Sequence, residues 1–316
     1  MNNPELSVVV PLYNEELVIE AMYEKLSAVL SNAEINYEVV MVNDGSRDQT
    51  ISLAQKICES DPRVKLLSFS RNFGHQIAIT AGMDRCAGQA IVVIDADLQD
   101  PPAVIIDMMK IWKQGYQVVY GVREKRKGES WFKIFTAASF YRILKRMTSV
   151  EIPVDTGDFR LLDRSVLDEF KKMRERARFV RGMVSWIGFK QGAVYYSRDP
   201  RLAGETKYPL SKMVRFAVDG ILSFSQIPLR ISSAFGLISA AISFFFMLYG
   251  IIVKYFFPQN AIPGWASLFS AILFIGGVQL ICMGVLGEYV GRIYEETKGR
   301  PLYIVEKEIN FNNKTP

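Results

Sequence analysis

Asp95 and Asp97 are separated only by the small Ala96, and Gln99 and Asp100 follow before the pair Pro101 and Pro102. In an extended turn both carboxylates can approach one hard cation, and the Gln99 carbonyl can add a neutral oxygen. Mg²⁺ or Mn²⁺ held by one or two carboxylates commonly completes its shell with substrate phosphates. Just upstream, Ile91, Val92, Val93 and Ile94 are apolar and β-branched, as in a buried strand. The carboxylates therefore arrive where such a strand ends, which is where open α/β sheets bind ligands. The plainer reading, a polar turn leading into a helix at Pro101 and Pro102, accounts for the prolines but not for that position. A second acidic turn, Asp155-Thr-Gly-Asp158-Phe-Arg160, enters another extended apolar run. There Asp158 reads either as a reactive carboxylate or as a buried ion pair with Arg160.

No G-x-G-x-x-G follows the first strand and no G-x-x-x-x-G-K-[ST] occurs, so neither a dinucleotide dehydrogenase nor a P-loop NTPase is supported. Phosphate handling must rest on the cation. The formal net charge of +5 and a pI near 8.9 suggest a nucleic-acid binder until the basic residues are located. They are spread along the chain, several of them close to the apolar C-terminal part, a distribution suited to a membrane surface and not to nucleic acid. The three cysteines, Cys58, Cys86 and Cys282, lack metal-type spacing and read as reduced thiols in the core or facing lipid.

The elements that would hold these groups alternate regularly. Strands are expected at 6–11, 37–42, 64–68, 91–94 and 117–121, with helices at 18–30, from 48, up to 86 and at 102–114. Asp48 is placed to cap the second helix. Strict alternation implies a mostly parallel sheet covered on both faces, with the loops around Tyr13, Asp44, Asn72 and Asp97 lining one crevice. The single histidine, His75, lies in the third of these loops and, lacking an evident acid–base partner, reads as a supporting or solvated residue. Shorter helices near 164–172 and 180–187 and a strand near 192–196 are expected to follow.

The rest of the chain points to a bilayer. Residues 131–147 mix basic with aromatic and apolar side chains, and 210–224 carry an apolar stripe opposite a basic one, both candidates for helices lying in an interface. Residues 231–253 contain no charge, and after Lys254 none appears until Glu288. A span needs roughly 20 apolar residues, so two spans fit, at 231–253 and 265–286, with a break at 258–263. Lys207, Lys212, Arg215 and Arg230 precede the first, and Arg292, Lys298 and Arg300 follow the second, so the positive-inside rule puts both flanks in the cytoplasm. With no cleavable signal at the N-terminus, the sheet is expected on the cytosolic side. The expected division is a catalytic domain over 1–207, interfacial helices over 208–230, two transmembrane helices over 231–290 and a cytosolic tail over 291–316.

Taken together, Ser7 to Glu16, Val42-Asn-Asp44-Gly-Ser46, Ser70-Arg-Asn72-Phe-Gly74, Asp95 to Pro102 and Gly157-Asp158-Phe-Arg160 resemble the motif series of family 2 glycosyltransferases. With two C-terminal spans and Gly287-Glu-Tyr-Val-Gly-Arg292, the chain is similar over almost its full length to the polyisoprenyl-phosphate branch, which includes dolichol-phosphate mannose synthase and the bactoprenol glucosyltransferases. The resemblance implies a GT-A fold with a transmembrane hairpin, a UDP-sugar donor, UDP-glucose above all, and inverting transfer of one sugar to undecaprenyl phosphate in the bacterial cell membrane. It implies that Pro11, Tyr13, Glu15, Asp44, Asn72, Gly74, Gln76 and Ala96 hold the nucleotide sugar, with Arg201 and Lys207 in a loop closing over its diphosphate. Asp95, Asp97 and Gln99 would bind Mg²⁺ or Mn²⁺, and Asp97 and Asp158 would be catalytic. Arg123 and Lys133 would meet the acceptor phosphate. The family precedent is a homotetramer, for which Gly276, Gly277, Gly284 and Gly287 offer close helix contact. The Q-x-x-R-W motif of processive synthases is absent, which favours a single addition.

Overall fold

The computed structural model describes residues 3–123, 156–197, 227–256 and 264–311. Lys133, Arg201, Lys207, the two expected interfacial segments and the break at 258–263 lie outside the described residues. The chain divides into two compact units, one holding the sheet together with residues 300–316, the other formed mainly by residues 221–299.

In the first unit the strands are β1 (Leu6–Leu12), β2 (Tyr37–Asn43), β3 (Val64–Phe69), β4 (Ala90–Val93), β5 (Val118–Arg123), β6 (Thr156–Asp163), β7 (Gln191–Tyr196) and β8 (Val305–Ile309). Between them lie the helices α1 (Ile19–Asn32), α2 (Thr50–Ser60), α3 (His75–Arg85), α4 (Val104–Lys113), α5 (Arg164–Lys172) and α6 (Val180–Ile187). The sheet order is β7-β5-β6-β4-β1-β2-β3-β8. β4, β1, β2 and β3 are mutually parallel, as the alternation predicts. Every residue of β1 and β2 is buried, as central parallel strands flanked by helices on both faces require. Against this layer α1 sinks Met22, Leu26 and Leu30, spaced on one helical face. Burial of side chains of that size contributes roughly 1.5–3 kcal/mol each.

Two strands depart from the parallel pattern. β6 runs antiparallel between β4 and β5, which carries the second acidic turn into the middle of the sheet. β8 pairs antiparallel with β3 at the far edge, so part of the segment expected to be a tail is a strand of the sheet. Each of the four crevice loops turns through one residue of positive φ: Asn14, Gly45, Gly74 and Leu98. At Gly45 a side chain is also excluded by contact, since a Cβ would lie 2.5 Å from the Arg71 carbonyl carbon. Leu98 has no such licence, and a non-glycine residue held there costs on the order of 1 kcal/mol, strain that clusters at functional sites.

The second unit contains α7 (Ile227–Phe256) and α8 (Trp265–Thr297), packed against each other. Both extend past the charge-free stretches of the sequence. The segments Ile227–Phe246 and Phe274–Thr297 have mean hydropathies of 1.6 and 1.5, and neither is buried inside the protein. Phe235, Leu237, Phe245, Phe246, Leu280 and Ile281 are all more than half exposed. An apolar surface of this extent belongs to a membrane-associated hairpin, not to a soluble core.

Gly82 sets how closely α3 approaches the sheet, because a Cβ there would lie 2.3 Å from Val9 Cγ1 and 3.1 Å from Val42 Cγ2. Gly82→Ala is expected to destabilise the protein by about 1–3 kcal/mol through overpacking. An unchanged unfolding midpoint would show instead that α3 can retreat from β1 without cost.

Candidate functional site

The carboxyl ends of β1, β2, β3 and β4 release four loops that are tied to one another. Asn14 Oδ1 accepts from the Arg47 backbone N–H at 2.9 Å, and Glu15 N–H donates to Thr50 Oγ1 at 2.8 Å. Gln49 is the N-cap of α2 and has no side-chain cap bond; Asp48, expected as the cap, lies one residue earlier and receives the N–H of Thr50 at 3.1 Å and that of Glu16 at 3.3 Å. The Asp44 carboxylate accepts the N–H of Phe73 at 2.6 Å and that of Gly74 at 3.0 Å, while Asn72 Nδ2 donates to the Asp44 carbonyl at 3.1 Å. Asp44 thus joins the second loop to the third. Its burial pushes its pKa up, against those backbone bonds. Pro11 is buried within β1, whereas Tyr13 is partly exposed at 38%.

Beyond β4 the chain turns through Asp95, Ala96 and Asp97, with Asp97 Oδ1 accepting the Gln99 N–H at 3.2 Å. Ala96 and Gln99 are buried, and Asp95 keeps about a third of its side chain exposed, at 31%. Register continued from the Val93–Arg160 pair sets Asp95 beside Asp158 of β6. His75, the first residue of α3, bridges them, its Nε2 3.5 Å from Asp95 Oδ1 and 3.4 Å from Asp158 Oδ2. The partner that the sequence failed to show for His75 is therefore a pair of carboxylates. Burial works against a charged imidazole, but the bond to Asp158 and the charges of Asp95 and Asp158 outweigh it and push its pKa up to about 9.

Asp158 itself is held from several sides. Arg181 Nε reaches its Oδ1 at 2.8 Å, and Arg181 Nη2 its Oδ2 at 3.3 Å. Gln76 Nε2 donates to Oδ2 at 3.1 Å, and Gln76 Oε1 accepts the Val180 N–H at 3.0 Å, which fixes the start of α6. Burial opposes ionisation, yet the Arg181 charge and the His75 bond hold the Asp158 carboxyl well below the usual carboxylate range. The alternative reading, an ion pair with Arg160, is not the pairing formed: Arg160 Nη2 donates to the Gly157 carbonyl at 3.1 Å. Burial lowers the Arg160 pKa to about 10 even with Asp158 nearby.

Arg123, the last residue of β5, lies against Gly157, where a Cβ would sit 2.5 Å from its Nη2. The same nitrogen is 3.5 Å from Asp100 Oδ2, and the Tyr196 hydroxyl donates to Asp100 Oδ1 at 2.5 Å. Arg123 is thereby anchored beside the Asp158 turn. The structure thus brings Asp95, Asp158, His75, Gln76, Arg123 and Arg181 together. Arg181, which no sequence motif singled out, pairs with Asp158 alongside His75.

Whether the carboxylates suit a divalent cation can be judged from their charges. Burial first, then the fields of Asp158, Asp100 and Asp97, push the Asp95 pKa up to about 6 despite His75. A carboxyl disfavoured by its anionic neighbours marks a place where added positive charge is stabilising, and the oxygens are hard donors. Among the described residues no group of three or more acidic, His or Cys side chains is arranged as a self-sufficient metal site.

Residues 7–171 match the family described as Glycosyl transferase family 2, and residues 227–293 match the GtrB C-terminal hairpin. An uncharacterized glycosyltransferase of Bacillus subtilis, YkcC, is 55% identical over 98% of this chain and 96% of its own length. A prophage bactoprenol glucosyl transferase homolog of Escherichia coli is 42% identical over 96% of this chain and 99% of its own. The bactoprenol glucosyl transferase of Shigella phage SfII is likewise 42% identical, over 98% and 99%. The crevice at the ends of the parallel strands and the apolar hairpin are thus those of a known enzyme architecture, and the chain belongs to glycosyl transferase family 2 as a GT-A glycosyltransferase carrying a GtrB-type hairpin.

Proposed function

We propose that the protein transfers one glucose from UDP-glucose to undecaprenyl phosphate, with inversion, at the cytosolic face of a bacterial cell membrane. The observation that carries this reading is the 42% identity to bactoprenol glucosyl transferases along nearly the whole chain, hairpin included. In support, the first unit gathers its carboxylates where a nucleotide sugar would bind, and the second offers an apolar surface to lipid. Residues 221–299 lie in the hairpin unit and the chain resumes the sheet unit at residue 300, which suits two spans joined as a hairpin. At Gly276, Gly277, Gly284 and Gly287 a Cβ would meet nothing among the described residues beyond their own helix within 4 Å, so their faces are open to neighbouring helices of a homo-oligomer, proposed as a tetramer.

In this reading the donor lies across the crevice loops, with Tyr13, Glu15 and the Asp44-Asn72-Gly74 joint against the nucleoside. Asp95 and Asp97, with Gln99 beside them, would hold Mg²⁺ or Mn²⁺. The bound cation would neutralise charge gathering on the departing diphosphate. The acceptor phosphate oxygen attacks the anomeric carbon from the face opposite the leaving group as the bond to UDP breaks. A phosphate monoester has its second pKa at about 6, so the attacking oxygen is already ionised at neutral pH. Asp158, held far down by Arg181, is a poor proton acceptor. It serves to position charge: with Arg181, Gln76 and His75 it fixes the wall of the crevice against which the acceptor and Arg123 meet.

Radiolabelled UDP-sugars offered with undecaprenyl phosphate and Mn²⁺ should yield a glucosyl lipid, identified by mass, and chelation should abolish it. Exclusive transfer of another sugar would replace glucose in this reading. Asp97→Asn is expected to cut turnover by roughly 100-fold with little change in thermal stability. Asp158→Asn and Arg181→Gln should each lower turnover to a similar extent at pH 6.5 and pH 8. Near-normal Asp158→Asn turnover at pH 8 that collapses at pH 6.5 would restore a general-base role to Asp158.

A further inference from the structure

The chain that returns from the hairpin does more than cover the edge of the sheet. Tyr303 stacks on Phe69, the last residue of β3, with ring centroids 5.2 Å apart and planes inclined by 20°. Phe69 in turn meets Phe73 edge-on at 5.5 Å. Phe73 is the residue whose backbone N–H Asp44 accepts at 2.6 Å. One residue further, the Ile304 carbonyl accepts the N–H of Ser70 at 3.1 Å, at the start of the same loop. The Tyr303 hydroxyl donates to Asp84 Oδ2 at 2.9 Å, near the end of α3, the helix that opens with His75 and Gln76. The β3–β8 register shifts between Ser68 and Phe69, so the regular ladder yields to these contacts just where the loop begins. The C-terminal segment therefore grips the 70–74 loop at its root and at the far end of the helix that follows.

We infer that Tyr303 is a positioning residue for the sugar-nucleotide donor, acting through Phe69 and Phe73 on the loop that Asp44 closes. The inference rests on the reading that this loop holds the donor. Removing the ring deprives Phe69 of its stacked neighbour and frees Phe73 to shift, and displacement of a binding loop by a fraction of an ångström weakens the ligand without touching it. The far end of β8 is held differently: Asn310 Nδ2 donates to the carbonyls of Cys58 and Val64 at 2.7 and 2.8 Å, away from the loop.

That division supplies the test. With the full-length protein in detergent or vesicles, Tyr303→Ala should raise the KM for UDP-glucose about tenfold, with the KM for undecaprenyl phosphate unchanged. Tyr303→Phe, which keeps the stacked ring, should restore most of the donor affinity. Asn310→Ala should lower the melting temperature and leave both KM values alone. Should Tyr303→Ala fail to fold, Tyr303→Leu carries the same expectation. Equal loss of both KM values, or no donor effect from Tyr303→Ala while Asp44→Asn does weaken the donor, overturns the positioning role. If Asp44→Asn also leaves the donor KM untouched, it is the assignment of the loop to the donor that fails, and the inference falls with it.

Discussion

A carboxylate taken out of water must be given its charge balance by the protein, and around Asp158 that requirement arranges much of the sheet unit. Its oxygens draw in Arg181 from α6, Gln76 and His75 from α3, and the field of Arg160 from its own strand. Removing any one donor would leave a buried anion partly unpaired, a cost of several kcal/mol in comparable cases. Meeting it brings the starts of two helices and an antiparallel strand to one point. Through His75 the same convergence reaches Asp95, so the charges at the end of β4 and those around Asp158 belong to one network.

The parts of this molecule that could be read from the sequence are those whose signal is local. Apolar runs followed by helical periodicity gave the four parallel strands and their helices, and the charge-free stretches gave the hairpin, because each pattern lies within a few turns of chain. The strand carrying Asp158 was legible as an extended run but not as an antiparallel insertion, since nothing in Thr156–Asp163 states which neighbour it joins. β8 was missed for a related reason. Val305, Glu306, Lys307, Glu308 and Ile309 form an edge strand with charged residues facing water, and such a segment looks like a tail.

In the site, the turn from Asp95 to Asp97 and Asp158 were visible as motifs, whereas their partners were not. Gln76 lies 82 positions from Asp158 and Arg181 lies 23 away, so only the folded chain reveals that the three share hydrogen bonds. Proximity in sequence misled at Arg160: two residues along a strand its side chain shares a face with Asp158, yet its guanidinium turns back to the Gly157 carbonyl. The carboxylate partners of His75 were invisible because they arrive from the end of β4 and from β6.

The eighth strand also bears on biogenesis. It is made after α7 and α8, so a ribosome finishes the catalytic sheet only once both apolar helices have emerged and been offered to the insertion machinery. Until then β3 presents a bare edge, a hazard for pairing with other nascent chains. A chain that stops short of the segment leading into β8 lacks the Tyr303 ring stacked on Phe69 and the Ile304 carbonyl that receives Ser70, so the 70–74 loop gains its last supports only at the close of synthesis.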